Sequence, residues 1–178
     1  MPDSIGPREL RDAFGAFATG VTVITAIRPS GEPVGVTVNS FASVSLEPPL
    51  VLWCLQSGSL SLDAFAAGRR FLVNVLAADQ RPVALRFAGS PAAKFPPGMR
   101  LGPDAAPPRL PGCVQLLECV VESVSDAGDH RLLVGRVLAV EGGQGSPLLF
   151  HAGRFGRFVA DAPAGKVDVW GGHLGEWS

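Results

Sequence analysis

Residues 35–65 read GVTVNSFASVSLEPPLVLWCLQSGSLSLDAF. Apolar, strand-like runs at 34–38 and 50–55 are interrupted by two clusters of small polar side chains. Thr37, Asn39, Ser40, Ser43 and Ser45 make the first cluster; Ser57, Ser59 and Ser61 make the second. A chain that breaks its core strands this way is either turning or building a cradle for something polar. The second cluster precedes a helix predicted over 61–67, with Leu62, Phe65 and Ala66 on one face. A helix N-terminus offers unpaired N–H groups and the positive end of a dipole, so hydroxyls placed there suit the phosphate of a nucleotide tail. The plainer alternative is that Ser59 or Ser61 is an N-cap.

Upstream of this stretch, Pro7 suits the first turn of an amphipathic helix over 7–18, with Leu10, Ala13, Phe14 and Phe17 at helical spacing. Thr19-Gly20 breaks it. The β-branched run 21–27 predicts a strand, and Pro29-Ser30-Gly31 turns it into 34–38 as a hairpin. Pro48-Pro49 blocks a helix ahead of strand 50–55, within which Cys54 is expected to be buried. Gly68 stops the helix at 61–67, and FLVNVL (71–76) is again a strand. Asp79 caps a short helix through Phe87 that tolerates Pro82 in its first turn. Residues 89–112 then form a long irregular segment with seven prolines, a lid, a binding loop or a dimer arm. Two long strands, 113–124 and 130–140, are joined by SDAGD as a hairpin, and short strands at 148–150 and 155–159 flank HAGR. Closely spaced strands, Gly/Pro turns and few helices predict a mainly β fold: an antiparallel barrel, closed or nearly so, capped by helices at 7–18, 59–67 and 79–88. No GxGxxG follows a strand and no GxxxxGK[ST] occurs, so the common nucleotide folds are not expected.

Composition narrows the function. At 178 residues the chain reads as a single domain with room for a real core. Apolar residues make up 47% and charged ones only 17%, so much apolar surface must be covered, which points to a homo-oligomer. A net charge of −1 gives no long-range pull toward nucleic acid or an anionic membrane. MPDSIGPREL lacks the basic start and apolar core of a signal peptide, and no apolar run approaches the roughly 18 residues of a membrane helix, so a cytoplasmic location is expected. With no CxxC pair and only three scattered histidines, no metal site is expected. Cys113 and Cys119 would share one strand about 20 Å apart, too far to bridge.

Six motifs occur in order: FATGVTVIT (17–25), GVTVNSFASVSLEPPLV (35–51), FLVNVLAADQ (71–80), KF (94–95), GDH (128–130) and PLLFHAGRF (147–155). The set resembles the short-chain flavin reductase family, which has the FMN-binding split-barrel fold and includes the reductase components of two-component flavin monooxygenases. The resemblance implies a homodimer that binds FMN or FAD near the subunit interface, reduces it with NADH or NADPH, and supplies it to a partner monooxygenase. By position, Thr37, Asn39, Ser40 and Ser43 lie along the isoalloxazine and ribityl chain, with Val38, Phe41 and Ala42 in the same flavin-binding segment. Ser57, Ser59 and Ser61, after Gln56, approach the phosphate; Lys94 and Phe95 close over the flavin tail; Phe155 comes from the facing subunit. His130 stands beside the nicotinamide as the candidate catalytic residue, a packing and hydrogen-bonding surface and not a proton donor. If the turn before it passes directly into a strand, the side chains of Asp129 and His130 diverge and form no ion pair. His151 and His173 carry no assigned role.

The domain is expected to cover residues 1–160, leaving 161–178 as a Gly-rich tail without a counterpart in the family. Two rival classes fit the same residues: a split-barrel protein that keeps its flavin for storage or electron transfer, and a non-catalytic barrel that only binds a partner.

Overall fold

The structure is a computed structural model that describes residues 5–90, 94–95, 101 and 104–159. In chain order the elements are α1 (Pro7–Gly15), β1 (Thr19–Gly20), β2 (Thr22–Ile27), β3 (Pro33–Val38), β4 (Ala42–Leu46), β5 (Pro49–Gln56), a 3-10 turn (Leu62–Phe65), β6 (Arg70–Val75), α2 (Arg81–Ala88), β7 (Gln115–Ala127), β8 (His130–Gly142), β9 (Leu148–His151) and β10 (Arg154–Arg157). Seven strands form one antiparallel sheet in the order β3-β2-β6-β7-β8-β5-β4, and β1, β9 and β10 form a second, smaller sheet.

The strand order dictates the shape. β3 and β4 are the two edges of the seven-stranded sheet, yet they are consecutive in sequence and joined by residues 39–41. So short a link reaches about 14 Å at most, so the sheet has to curl until its edges approach. No ladder joins β3 to β4, and the barrel stays split at that seam instead of closing. The linking residues 39–41 therefore lie in the opening.

Trp53, Phe65 and Phe71 anchor the interior; Trp53 meets Phe65 edge-on at 4.9 Å between ring centres and Phe71 at 6.0 Å. Gly135 on β8 is what admits Phe71, because a Cβ there would stand 2.3 Å from the tip of its ring. A second apolar cluster, with Val23, Leu76, Phe87 and Leu148, sits between the sheet and α2.

One buried polar group organises the loop ahead of β7. Asn74, 0% exposed, donates to the Val23 carbonyl at 2.9 Å and to Thr25 Oγ1 at 3.1 Å, while its own Oδ1 accepts the Leu110 N–H at 3.0 Å. Thr25 Oγ1 donates to the Pro108 carbonyl at 2.6 Å, and Gln80 Nε2 to that of Pro111 at 2.7 Å. The end of the proline-rich segment is thus pinned to the sheet. Residues 91–93, 96–100 and 102–103, where a lid would lie, and the tail 161–178 are outside the described residues.

Several local expectations are corrected. α1 ends at Gly15, and Thr19-Gly20 is not only a helix stop but a short strand that pairs with Leu149 and Phe150. None of the α1 side chains is buried; Phe14 and the following Phe17 are 72% and 77% exposed. β4 was not expected: its alternation is hidden because the strand is an edge, with a register shift between Ser43 and Ser45. The helix expected over 61–67 is only a four-residue 3-10 turn, since Ala64 and Phe65 are drawn into the core and Ala66 is already extended. α2 starts at Arg81 with no side-chain cap, so Asp79 does not cap it.

Candidate active site

The cleft follows from what β3 must accommodate. Gly35 lies against α2: a Cβ there would stand 2.5 Å from the ring of Phe87, so only glycine lets that ring settle over the strand. Thr37 Oγ1 then donates to the Ala84 carbonyl at 2.7 Å and ties β3 to α2. On the other wall Ser40 Oγ accepts the Cys54 N–H at 2.9 Å and ties the β3–β4 link to β5. Between these walls a cavity of about 380 Å³ opens, within the range of small-molecule sites.

The cavity gathers Thr37, Val38, Asn39 and Ser40 with Gln56, Ser59, Lys94 and His130, all of them expected. His130 is set by register: it pairs with Gln56 across the β5–β8 ladder, and Ser57 N–H donates to the Asp129 carbonyl at 3.0 Å just beyond. The side chains of Asn39 and Gln56 have no hydrogen-bond partner among the described residues, leaving two amides free at the cleft. Lys94 Nζ donates to the Gly35 carbonyl at 2.9 Å, and burial holds its ammonium below the usual 10.5.

Other expected residues stand elsewhere. Phe41 packs against the main core, while Ala42 and Ser43 leave on β4 toward solvent. Ser57 is exposed and contributes its backbone, not its hydroxyl, to the turn. Ser59 Oγ accepts the Ser61 N–H at 3.2 Å, so it closes a local turn while still lining the cavity. Ser61 and Phe95 line an adjoining cavity of about 260 Å³ that meets the cleft at Lys94, and Phe95 packs edge-on against Phe87 at 5.3 Å. Phe155 lines a third cavity with Arg81, whose guanidinium lies over its ring, and packs against Phe150.

Asp129 and His130 do not diverge. Asp129 Oδ1 lies 2.7 Å from His130 Nδ1, and this contact holds the Asp129 carboxyl below its ordinary range. The physical reason is the two-residue turn Gly128-Asp129, with Gly128 at φ 64°: Asp129 belongs to the turn, so the alternation of a strand does not govern its side chain.

Sequence reading missed Val36, Leu55, Phe87 and Ala88 in the cleft, and also Cys54, which is half-buried at the cavity and not sealed in the core. For Phe87 a signal existed: a glycine inside a strand, Gly35, marks a close approach. Cys113 lies just ahead of β7 and not on it; burial pushes its thiol to about 11 and that of Cys119 to about 12. Among the described residues no group of three or more His, Cys, Asp or Glu is placed to hold a metal ion, and no helix is long and apolar enough to cross a membrane.

An antiparallel barrel split at one seam, with a polar, lysine-bearing cleft in the opening, is the architecture of a flavin-handling split barrel. Residues 14–158 match the model of the flavin reductase like domain, and the chain belongs to that family. It is 44% identical over 158 residues to the FMN reductase (NADH) SmoA of Agrobacterium fabrum, covering 89% of this chain and 90% of that one. It spans 54%, 60% and 42% of three longer curated relatives. Among solved structures, Streptomyces globisporus NADH:FAD oxidoreductase SgcE6, in complex with NAD and FAD fragments, superposes with a TM-score of 0.77 at 38% identity over 90% of this chain and 99% of that one. Component B of nitrilotriacetate monooxygenase from Mycobacterium thermoresistibile gives 0.78 at 36% identity over 91% and 93%.

Proposed function

We propose that the chain is an NADH-dependent reductase of FMN or FAD that supplies reduced flavin to a partner monooxygenase. The observation that carries this reading is the convergence of Thr37–Ser40, Gln56, Ser59, Lys94 and His130 on one cleft in a chain of the flavin reductase like family.

The residues present fit a flavin. Val36, Val38, Leu55 and Phe87 offer apolar walls for a flat ring, Asn39 and Gln56 offer amides for its edge, and Lys94 offers a cation for the phosphate. When bound, the flavin supplies the electron-accepting ring and carries the redox chemistry itself. The chain's work is positional. The Thr37–Ala84 and Ser40–Cys54 hydrogen bonds brace the two walls, and His130 presents its imidazole at the cleft for the nicotinamide. No acid–base pair is needed, because a hydride passes between two stacked rings once they are oriented and water is excluded.

A homodimer belongs to the same reading. α1 carries Leu10 and Phe14, and the segment after it Phe17, exposed in the single chain, and a second copy is the occupant that buries them. Phe155, outside the cleft of its own chain, would meet the flavin only across that dimer. We take residues 1–160 as the reductase domain and 161–178 as a tail. A cytoplasmic location fits three cysteines that are all free thiols. The names of the relatives favour turnover over flavin storage.

The test is NADH oxidation on added FMN and FAD, run beside a flavin titration followed by fluorescence. Binding in the micromolar range with turnover is expected. Tight colour without NADH oxidation would establish flavin storage, and no flavin binding at all would overturn the reading.

A further inference from the structure

The two-residue turn before β8 does more than reverse the chain. Ser57 N–H donates to the Asp129 carbonyl at 3.0 Å, which fixes the backbone of the turn against the end of β5. His130, next in sequence, is paired with Gln56 on β5 and with Ala127 on β7, so its backbone is held from both sides. What the backbone leaves undecided is the imidazole ring. Asp129 Oδ1 holds that ring at Nδ1, 2.7 Å away.

The arginines of this hairpin are engaged elsewhere. Arg131 pairs with Asp126 at 2.7 Å and Arg136 with Glu122 at 2.7 Å, so neither guanidinium draws Asp129 away from the ring. The Asp129 carboxyl is held below its ordinary range chiefly by the hydrogen bond from His130, as befits an ionised acceptor. An ionised carboxylate has no proton to give, so the proton between the two side chains belongs to Nδ1. In a neutral imidazole the other nitrogen is then an acceptor. Nε2 has no partner among the described residues, and His130 lines the cleft.

We propose that Asp129 is a positioning residue that fixes His130 as the Nδ1–H tautomer, so that Nε2 offers its lone pair to the carboxamide N–H of the nicotinamide. The inference rests on the NADH-dependent reading above and gives it a direction: His130 accepts from the nicotinamide amide and does not donate to it. An exposed contact adds little to folding, but choosing between two tautomers of similar energy takes little. Without the carboxylate the ring divides between the two forms. Apparent affinity for the nicotinamide then falls by the fraction of rings that hold the competent one.

The tautomer is read on the free full-length protein carrying isotope-labelled histidine, from the long-range proton–nitrogen correlations of the ring. The spectra are taken about two pH units above the ordinary imidazole pKa, so that the ring is neutral. The chain has three histidines, and H130A identifies the signal. Nδ1–H is expected in the unaltered protein, and a mixture or Nε2–H in D129A, with matching thermal melts. Steady-state kinetics then compare NADH with the reduced 3-acetylpyridine analogue, whose methyl ketone has no N–H. In D129A the KM for NADH should rise about fivefold with kcat nearly unchanged, and that for the analogue less than about twofold. D129E should restore the tautomer and the KM, and flavin titrations should be alike in all three proteins. An Nε2–H ring in the unaltered protein, an Nδ1–H ring that persists in D129A, or equal rises in KM for NADH and the analogue would overturn the proposal. An unaltered protein with the Nδ1–H ring that oxidises no NADH would overturn the reductase reading, and the nicotinamide contact with it, while the tautomer assignment stands.

Discussion

Gln56 and His130 stand opposite each other across the β5–β8 ladder, at the end of one strand and the start of the other, and both line the cleft. The imidazole is therefore carried by a paired backbone, not by a loose loop. Its carboxylate neighbour, Asp129, is 92% exposed, so their side-chain contact lies at the surface and is of small worth. His130→Ala should raise the KM for NADH and slow hydride transfer about tenfold, about 1.4 kcal/mol, and leave flavin affinity nearly unchanged. Stopped-flow reduction beside a flavin titration reads both. Unaltered hydride transfer would remove His130 from the nicotinamide site.

The serine cluster divides in two. Ser59 lines the cleft and Ser57 does not. Ser59→Ala should weaken FMN by about 1–1.5 kcal/mol with little effect on riboflavin, whereas Ser57→Ala should leave both alone. Equal losses of FMN and riboflavin in Ser59→Ala would show that the hydroxyl shapes only the local turn.

Lys94 gives a pH dependence whose sign can be worked out. Burial lowers its pKa below 10.5 in the folded chain, so the charged form is disfavoured there. That cost to stability is present below the folded pKa and is relieved as pH rises through it toward the unfolded value. A phosphate held by the ammonium should lose affinity over the same window. FMN binding should fall on the alkaline side with a midpoint below 10.5 while riboflavin stays level. A midpoint absent from the FMN curve, or present in both curves, would exclude Lys94 as the phosphate's partner.

Asn74→Leu should cost about 2–3 kcal/mol in chemical denaturation, because the Leu110 N–H loses its acceptor and Leu cannot replace the bonds to Val23 and Thr25. Hydrogen exchange should quicken at Leu110 ahead of the sheet. A loss below about 0.5 kcal/mol would mean that water replaces the amide without penalty.

Phe14→Ser with Phe17→Ser should shift the assembly toward a monomer of 18.5 kDa, if the exposed side chains of α1 and the segment after it are the dimer contact. The intact dimer should bury more than about 2,000 Å² in total. Sedimentation at micromolar concentration decides it; a monomeric unaltered protein that still binds flavin would end the dimer proposal.

What the sequence disclosed follows a physical line. β2, β5 and β6 are paired on both sides in the sheet, and their continuous apolar runs announce them. β4 is an edge exposed on both faces, with only Ser45 half-buried, so Ser43 and Ser45 look like loop. Thr37 through Ser40 were legible as a polar break where β3 ends, although the Thr37 and Ser40 hydroxyls are spent on Ala84 and Cys54. Phe87 was not: its place depends on a helix crossing Gly35, a contact between residues 52 apart in the chain (87 − 35). Phe155 could not be resolved at all by reasoning within one chain, since its expected role belongs to a facing copy.

The hydrogen bonds of Thr37 to Ala84 and of Ser40 to Cys54 have a kinetic meaning. Both are made within the chain, so the bonds that brace the walls of the cleft do not depend on a ligand. Release of a bound ring would then break neither of these two bonds. A carrier loaded and emptied on every turnover needs fast exchange more than a deep energy well, and walls braced by the chain's own bonds favour that exchange.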